Sequence, residues 1–215
     1  IMKDAYSFDL DQNGLDESYK IMYDTYCRIF DRLGIDYKIV LADTGAIGGT
    51  GSHQFMAISD VGESNIIYCE CGYAADEEKA ESRLVKNEEK EELLEIKEVE
   101  TPNQKSIEEV SSFLNVEPSK VVKSMVYYDL ANKRFVLVLV RGDKEVNEIK
   151  VVNALDIAEH ELVLASFGDI EKLGSYEGFV GPYNFNKDVL VLVDEEVKEM
   201  TNFVVGANKK DTHLM

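Results

Sequence analysis

The chain is poor in the residues that metal and thiol chemistry require: three cysteines and three histidines occur among 215 residues. Cys27 stands alone in a helical pattern, and Cys69 and Cys71 form a single C-x-C. A structural zinc site usually draws four ligands from two such clusters, and His53, His160 and His213 supply no second one. The expectation is no metal and reduced structural thiols. No Ser-His-Asp or Cys-His arrangement is legible, so chemistry through a nucleophilic side chain is not indicated. Cations are also scarce, with 23 Lys and Arg against 42 Asp and Glu and a formal net charge of -19. That balance argues against indiscriminate binding to DNA or an anionic membrane, because both are polyanions. No stretch approaches the roughly 18 apolar residues of a spanning helix, and no basic segment followed by an apolar one opens the chain. These absences predict a cytoplasmic protein without a membrane partner.

What is present is an acidic chain with 45% hydrophobic residues, enough for one substantial core or two small ones. It opens at Ile1 in what reads as the middle of a strand, so a fragment is expected. Residues 15–33 carry Leu15, Tyr19, Met22, Tyr26, Ile29 and Leu33 at helical spacing, with Gly34 as a stop. Residues 35–42 predict a strand, and Gly45, Gly48, Gly49 and Gly51 break up the loop after it without forming a nucleotide-binding motif. Residues 55–59 and 65–70 suit a strand pair around Gly62. The run of Glu and Lys through residues 86–100 reads as a solvated linker between a first domain, 1–85, and a second, 101–215. In the second, Ser106 and Glu109 have capping-box spacing before a helix. Strands and helices then interleave without a regular repeat, predicting a mixed α/β fold.

Residues 117–150 carry the strongest fold signal together with polar residues the fold does not need. Residues 121–128 alternate, placing Lys123, Met125 and Tyr127 on one side of a strand and Ser124, Val126 and Tyr128 on the other. Residues 135–140 form an uninterrupted apolar run that suits a strand covered on both faces. Seven Lys and Arg against five Asp and Glu make this stretch a mildly positive island, either a dock for an anion or ordinary lysines flanking a hairpin.

SKVVKSMVYY and LVLVRGDKEVNEIK, followed by GFVGP at 178–182, VLVDEEV at 191–197 and NFVVGAN at 202–208, resemble the editing domain inserted into bacterial prolyl-tRNA synthetases. IMKDAYSFD at 1–9, ADTGAIGGTGSHQFM at 42–56 and YAADEEKAE at 73–81 follow the same family's order, the first resembling the end of its motif 2. The resemblance implies part of a class II antiparallel-sheet catalytic domain carrying an inserted mixed α/β editing domain. It implies ligation of proline to its tRNA with ATP and Mg in the full-length homodimer, and cofactor-free hydrolysis of mischarged alanyl-tRNA for proline by the inserted domain.

Carried over residue by residue, the resemblance makes Lys123, Gly178, Gly181, Pro182, Asp194 and His213 the candidate editing residues. Asp143 and Asn147 of the RGD-x-x-x-N segment, with Ser52 and His53, become candidate substrate contacts, although Asp143 and Asn147 also suit a structural role, fixing the turn from hairpin to helix. Gln54 stands where the family carries Glu, removing an anion that would hold an amino group. Ester hydrolysis needs donors for a developing oxyanion and a placed water, not a nucleophilic side chain. Lys123 suits the electrostatic part, although an edge-strand lysine that blocks aggregation has the same sequence appearance. Gly178, Gly181 and Pro182 suit a ligand loop or a surface turn equally, and Met125, Val126 and Leu139 are candidates for shaping a size filter. Editing by this chain is expected to depend on Lys123 facing a small cleft lined by the GFVGP turn; a lysine on the far side of the sheet from that turn, with no cavity between them, would count against editing here altogether. Two other readings compete: the proline-activating ligase itself, and a non-catalytic module that binds tRNA or protein.

Overall fold

A computed structural model describes residues 5–45, 49, 51–84, 91–185 and 188–215. Two compact units divide the chain, Ile1–Glu81 and Ser82–Met215. The expected start in mid-strand, part of the glycine-rich loop and the first residues of the expected linker lie outside the described residues.

In the first unit, α1 spans Gln12–Leu33. Asp11 caps it by accepting from the Gly14 N–H, and Gly34 ends it in the left-handed region at φ 65°. One side of α1 presents Tyr23, Tyr26 and Phe30 to Phe55, with ring centroids 5.4–5.6 Å apart. Phe55 belongs to β2 (His53–Ala57), which pairs antiparallel with β1 (Tyr37–Leu41). β3 (Ile66–Tyr68) pairs instead with β4 (Ala74–Asp76), and β4 lies parallel to β1. The sheet order is therefore β2-β1-β4-β3, and the strand pair expected around Gly62 does not form. β2 instead takes five consecutive partners on β1. Cys69 and Cys71 form a disulfide, contrary to the expected reduced thiols. The turn between β3 and β4, with Gly72 at φ 93°, brings their Cα atoms within 5.3 Å.

The second unit begins with β5 (Glu98–Glu100), so the last residues of the expected linker are ordered strand. α2 (Ile107–Leu114) starts at the predicted capping box of Ser106 and Glu109. β6 (Val122–Asp129) and β7 (Arg134–Arg141) form the predicted hairpin in unbroken antiparallel register. At its turn the wholly buried Asp129 accepts from the Asn132 backbone and side chain and from Arg134 Nε. Burial pushes its carboxyl upward, but those donors together hold it below the usual carboxylate range. Then come α3 (Glu148–Leu155), β8 (Leu162–Leu164), α4 (Phe167–Lys172), β9 (Leu190–Val193), α5 (Glu195–Lys198), β10 (Val205–Gly206) and β11 (Thr212–Leu214).

Two sheets result, β8-β6-β7-β9 and β10-β11-β5, and a Val121–Val204 bridge ties β10 to the start of β6. The larger sheet is covered on both faces, as the apolar run of β7 predicted. Leu137 and Leu139 pack with Val122, Val126, Val180, Val197 and Val205 on one side. Val136, Val138 and Val140 pack with Tyr127, Val151 and Leu155 on the other. Each fully buried aliphatic contributes about 1.5–3 kcal/mol. The architecture is mixed α/β. Among the described residues no helix is long and apolar enough to cross a membrane.

Candidate functional site

Alternation along a strand decides where Lys123 points. It pairs with Val140 across the hairpin, and Met125 pairs with Val138. Both valines belong to the face packed against α3. Val180, in the middle of GFVGP, belongs to the opposite face with Val122 and Val126. The sheet itself separates Lys123 from the glycine turn, and the expected cleft between them is overturned. The same alternation divides the expected size-filter residues, since Met125 shares the Lys123 face while Val126 and Leu139 lie on the other.

Lys123 is mostly buried, its side chain 17% exposed. Its Nζ donates to the Lys144 carbonyl at 2.8 Å and to Glu145 Oε1 at 2.7 Å. The loop that supplies both acceptors is fixed from two ends. Arg141 forms a two-pronged pair with Asp143, at 2.6 and 2.9 Å, and holds its carboxyl low mainly through those hydrogen bonds. Asn147 caps α3 by accepting from the Lys150 N–H. Asp143 and Asn147 are thus committed to shaping the loop. Asp194 follows β9, its N–H donating to the Leu139 carbonyl while its side chain caps α5 through the Glu196 N–H. Asp194 lies one residue past the Val193–Leu139 pair, beside the strand position of Val140, the register partner of Lys123. Lys123, the loop through Asp143 and Asn147, and Asp194 therefore share one end of the sheet.

Of Gly178, Gly181, Pro182 and His213, Gly181 and His213 are closed by packing, whereas Pro182 is exposed and Gly178, at φ 83°, is partly buried against the Lys105 side chain. A Cβ on Gly181 would sit 1.9 Å from the Gly206 carbonyl oxygen, and one on Gly206 would sit 2.3 Å from that of Val180. The two backbone segments touch, so this side of the glycines has no room for a ligand. The Gly181 N–H is spent on Asn208 Oδ1, which also accepts from Ser175 Oγ; Asn208 Nδ2 donates to the carbonyls of Gly181 and Tyr183. Asn208 is the clamp of the turn. It was missed in the sequence, although its left-handed φ of 57° is one that asparagine tolerates. His213, on β11, is 4% exposed, lies 5.4 Å from the Phe179 ring between centroids, and pairs through Nδ1 with Thr101 Oγ1 at 2.7 Å. Burial pushes its imidazole down to about 4, so it is neutral near pH 7.

The positive island is largely compensated: Lys120 pairs with Glu91, Lys123 with Glu145, Arg134 with Asp129, and Arg141 with Asp143 and Glu196. In the first unit, Tyr19 Oη meets His53 Nδ1 at 2.8 Å beside an aromatic cavity of about 370 Å³ lined by Tyr19, Tyr23, Tyr26, Phe30 and Phe55. Ser52 contributes its carbonyl to the Ala42 N–H. Among the described residues no group of three His, Cys, Asp or Glu side chains is placed to hold a metal ion.

The second unit is thus a β-hairpin core flanked by helices, with a mostly buried lysine at one end of the sheet. Residues 101–215 match the aminoacyl-tRNA editing domain, and the chain belongs to that family. Over 100% of its length it is 51% identical to the proline–tRNA ligase of Thermoanaerobacter pseudethanolicus, and over 99% it is 55% identical to that of Caldicellulosiruptor bescii. The chain spans 37% and 36% of those proteins. A solved hypothetical protein, APE2540, shares the fold over 56% of this chain and 79% of its own, at 20% identity and a TM-score of 0.50.

Proposed function

We propose that residues 101–215 hydrolyse the ester of a mischarged aminoacyl-tRNA, releasing alanine from tRNA for proline. The observation that carries this reading is the match of these residues to the editing-domain family, which holds although the cleft expected between Lys123 and the GFVGP turn does not form. The reacting ester lies on the Lys123 face, beside the loop that ends at Asn147, and not at the glycine turn. There the Lys123 ammonium holds a phosphate or ester oxygen of the tRNA 3′ end and stabilises negative charge as water attacks the carbonyl. A donor of this kind contributes about 100-fold or more when its environment excludes water. Met125, next on the same face, is a candidate wall of the size filter that admits alanine and refuses proline. Gly181 and His213 act indirectly, by fixing the opposite face.

For residues 1–81 the reading is part of an aminoacylation domain, with Ser52 and His53 near proline, ATP and the tRNA end. It is supported by the 51% identity across the whole chain. Such a protein is cytoplasmic and homodimeric, and magnesium accompanies its ATP; no side-chain step here depends on that ion.

One assay separates the readings. The chain is incubated with alanyl-tRNA and prolyl-tRNA for proline, and release of each amino acid is followed. Selective loss of alanine is expected. Proline-dependent exchange of pyrophosphate into ATP would favour the ligase, and tRNA binding with neither ester cleaved by the folded protein would leave a non-catalytic module.

A further inference from the structure

The partners of Lys123 are unequal. The Lys144 carbonyl belongs to a turn closed by the Lys144 N–H to the Arg141 carbonyl at 2.9 Å and braced by the Arg141–Asp143 pair. The Glu145 side chain is 89% exposed, against 17% for the lysine it pairs with. An exposed carboxylate returns to water at little cost, whereas a mostly buried ammonium must keep an acceptor. Among the described residues the Lys123 ammonium has two acceptors, and the carboxylate is the one whose side chain stands in water. On the same face Glu148 is already engaged, accepting from Tyr127 Oη at 3.0 Å.

We propose that Glu145 is an exchangeable internal counter-ion of Lys123, which a phosphate oxygen at the 3′ end of an RNA displaces on binding. The proposal rests on the reading of Lys123 as the group that meets the tRNA end. In the free protein the carboxylate keeps the buried ammonium satisfied. In the complex it swings into solvent, and the phosphate takes its place as a charge-assisted acceptor. Glu145 thereby weakens binding by the strength of the pair that must be broken, and it rejects neutral ligands that offer nothing in exchange. In a chain of net charge -19 it also sets the local repulsion an incoming phosphate meets.

The test is a double-mutant cycle on the whole chain. Binding of a fluorescent RNA hairpin carrying the acceptor stem and 3′ end of tRNA for proline is measured for wild type, Glu145→Gln, Lys123→Ala and the double variant. Glu145→Gln is expected to bind about 5-fold tighter, a gain that vanishes in the Lys123→Ala background. Unchanged or weaker binding by Glu145→Gln overturns the proposal. So does an equal gain without Lys123, which would be bulk charge alone. Alanine release is assayed in parallel: a chain that shows the binding cycle but hydrolyses nothing removes the deacylase reading only, and a hydrolysing chain without the cycle removes the counter-ion only.

Discussion

On one face of the β8-β6-β7-β9 sheet a mostly buried lysine is tied to a carboxylate that is almost wholly in water; on the other, Gly181 and Gly206 press backbone against backbone and His213 is sealed behind Phe179. Both groups come from motifs that the family resemblance makes candidates, Lys123 the stronger and the GFVGP turn open to a purely structural role. The difference teaches that a glycine turn can be demanded by packing alone, while a strand lysine at the end of the same sheet keeps a partner that is almost wholly in water.

The comparison breaks most sharply at Gly181. Gly181→Ala places a methyl group inside the Gly206 carbonyl, and a loss of about 3 kcal/mol or more is expected in denaturant unfolding. A variant of wild-type stability would show that the turn has slack and reopen it as a ligand loop. His213 tests the same side by pH. Its imidazole is held near 4 in the fold against 6.5 ordinarily, so between those values the unfolded chain binds a proton that the folded chain refuses. This contribution is complete above pH 6.5 and is lost as pH falls toward 4, by about 3 kcal/mol. Unfolding of wild type and His213→Gln at pH 7 and pH 4.5 should show a steeper acid loss in the wild type.

The lysine face should respond in activity instead. Lys123→Ala is expected to lower alanyl-tRNA deacylation about 100-fold while unfolding free energy moves by about 1 kcal/mol or less. Unaltered hydrolysis by that variant would detach the chemistry from this face. The smallest effect belongs to Lys120, whose pair with Glu91 is half exposed on both sides. Lys120→Ala should change stability by less than about 1 kcal/mol and deacylation hardly at all, which marks Lys123 as distinct from its neighbouring cations.

Much of the second unit is legible residue by residue. The alternation through 121–128, the apolar run of β7 and the Ser106–Glu109 box each became the element they describe, because each pattern is local and unambiguous. β4, β5 and β11 were missed: three residues are too few to show a period, and β5 and β11 pair across more than a hundred positions. His213 and Asn208 owe their roles to such distant partners, Thr101 for one and the GFVGP turn for the other.

By itself the sequence determined that Lys123 and Met125 share one side of a strand while Ser124 and Val126 share the other, and its ordered motifs determined the family. Only the tertiary structure decided which side the GFVGP turn covers, since alternation defines two faces without saying what lies against either. Crossing connections and the Val121–Val204 bridge settle that, and they place the turn where the lysine is not.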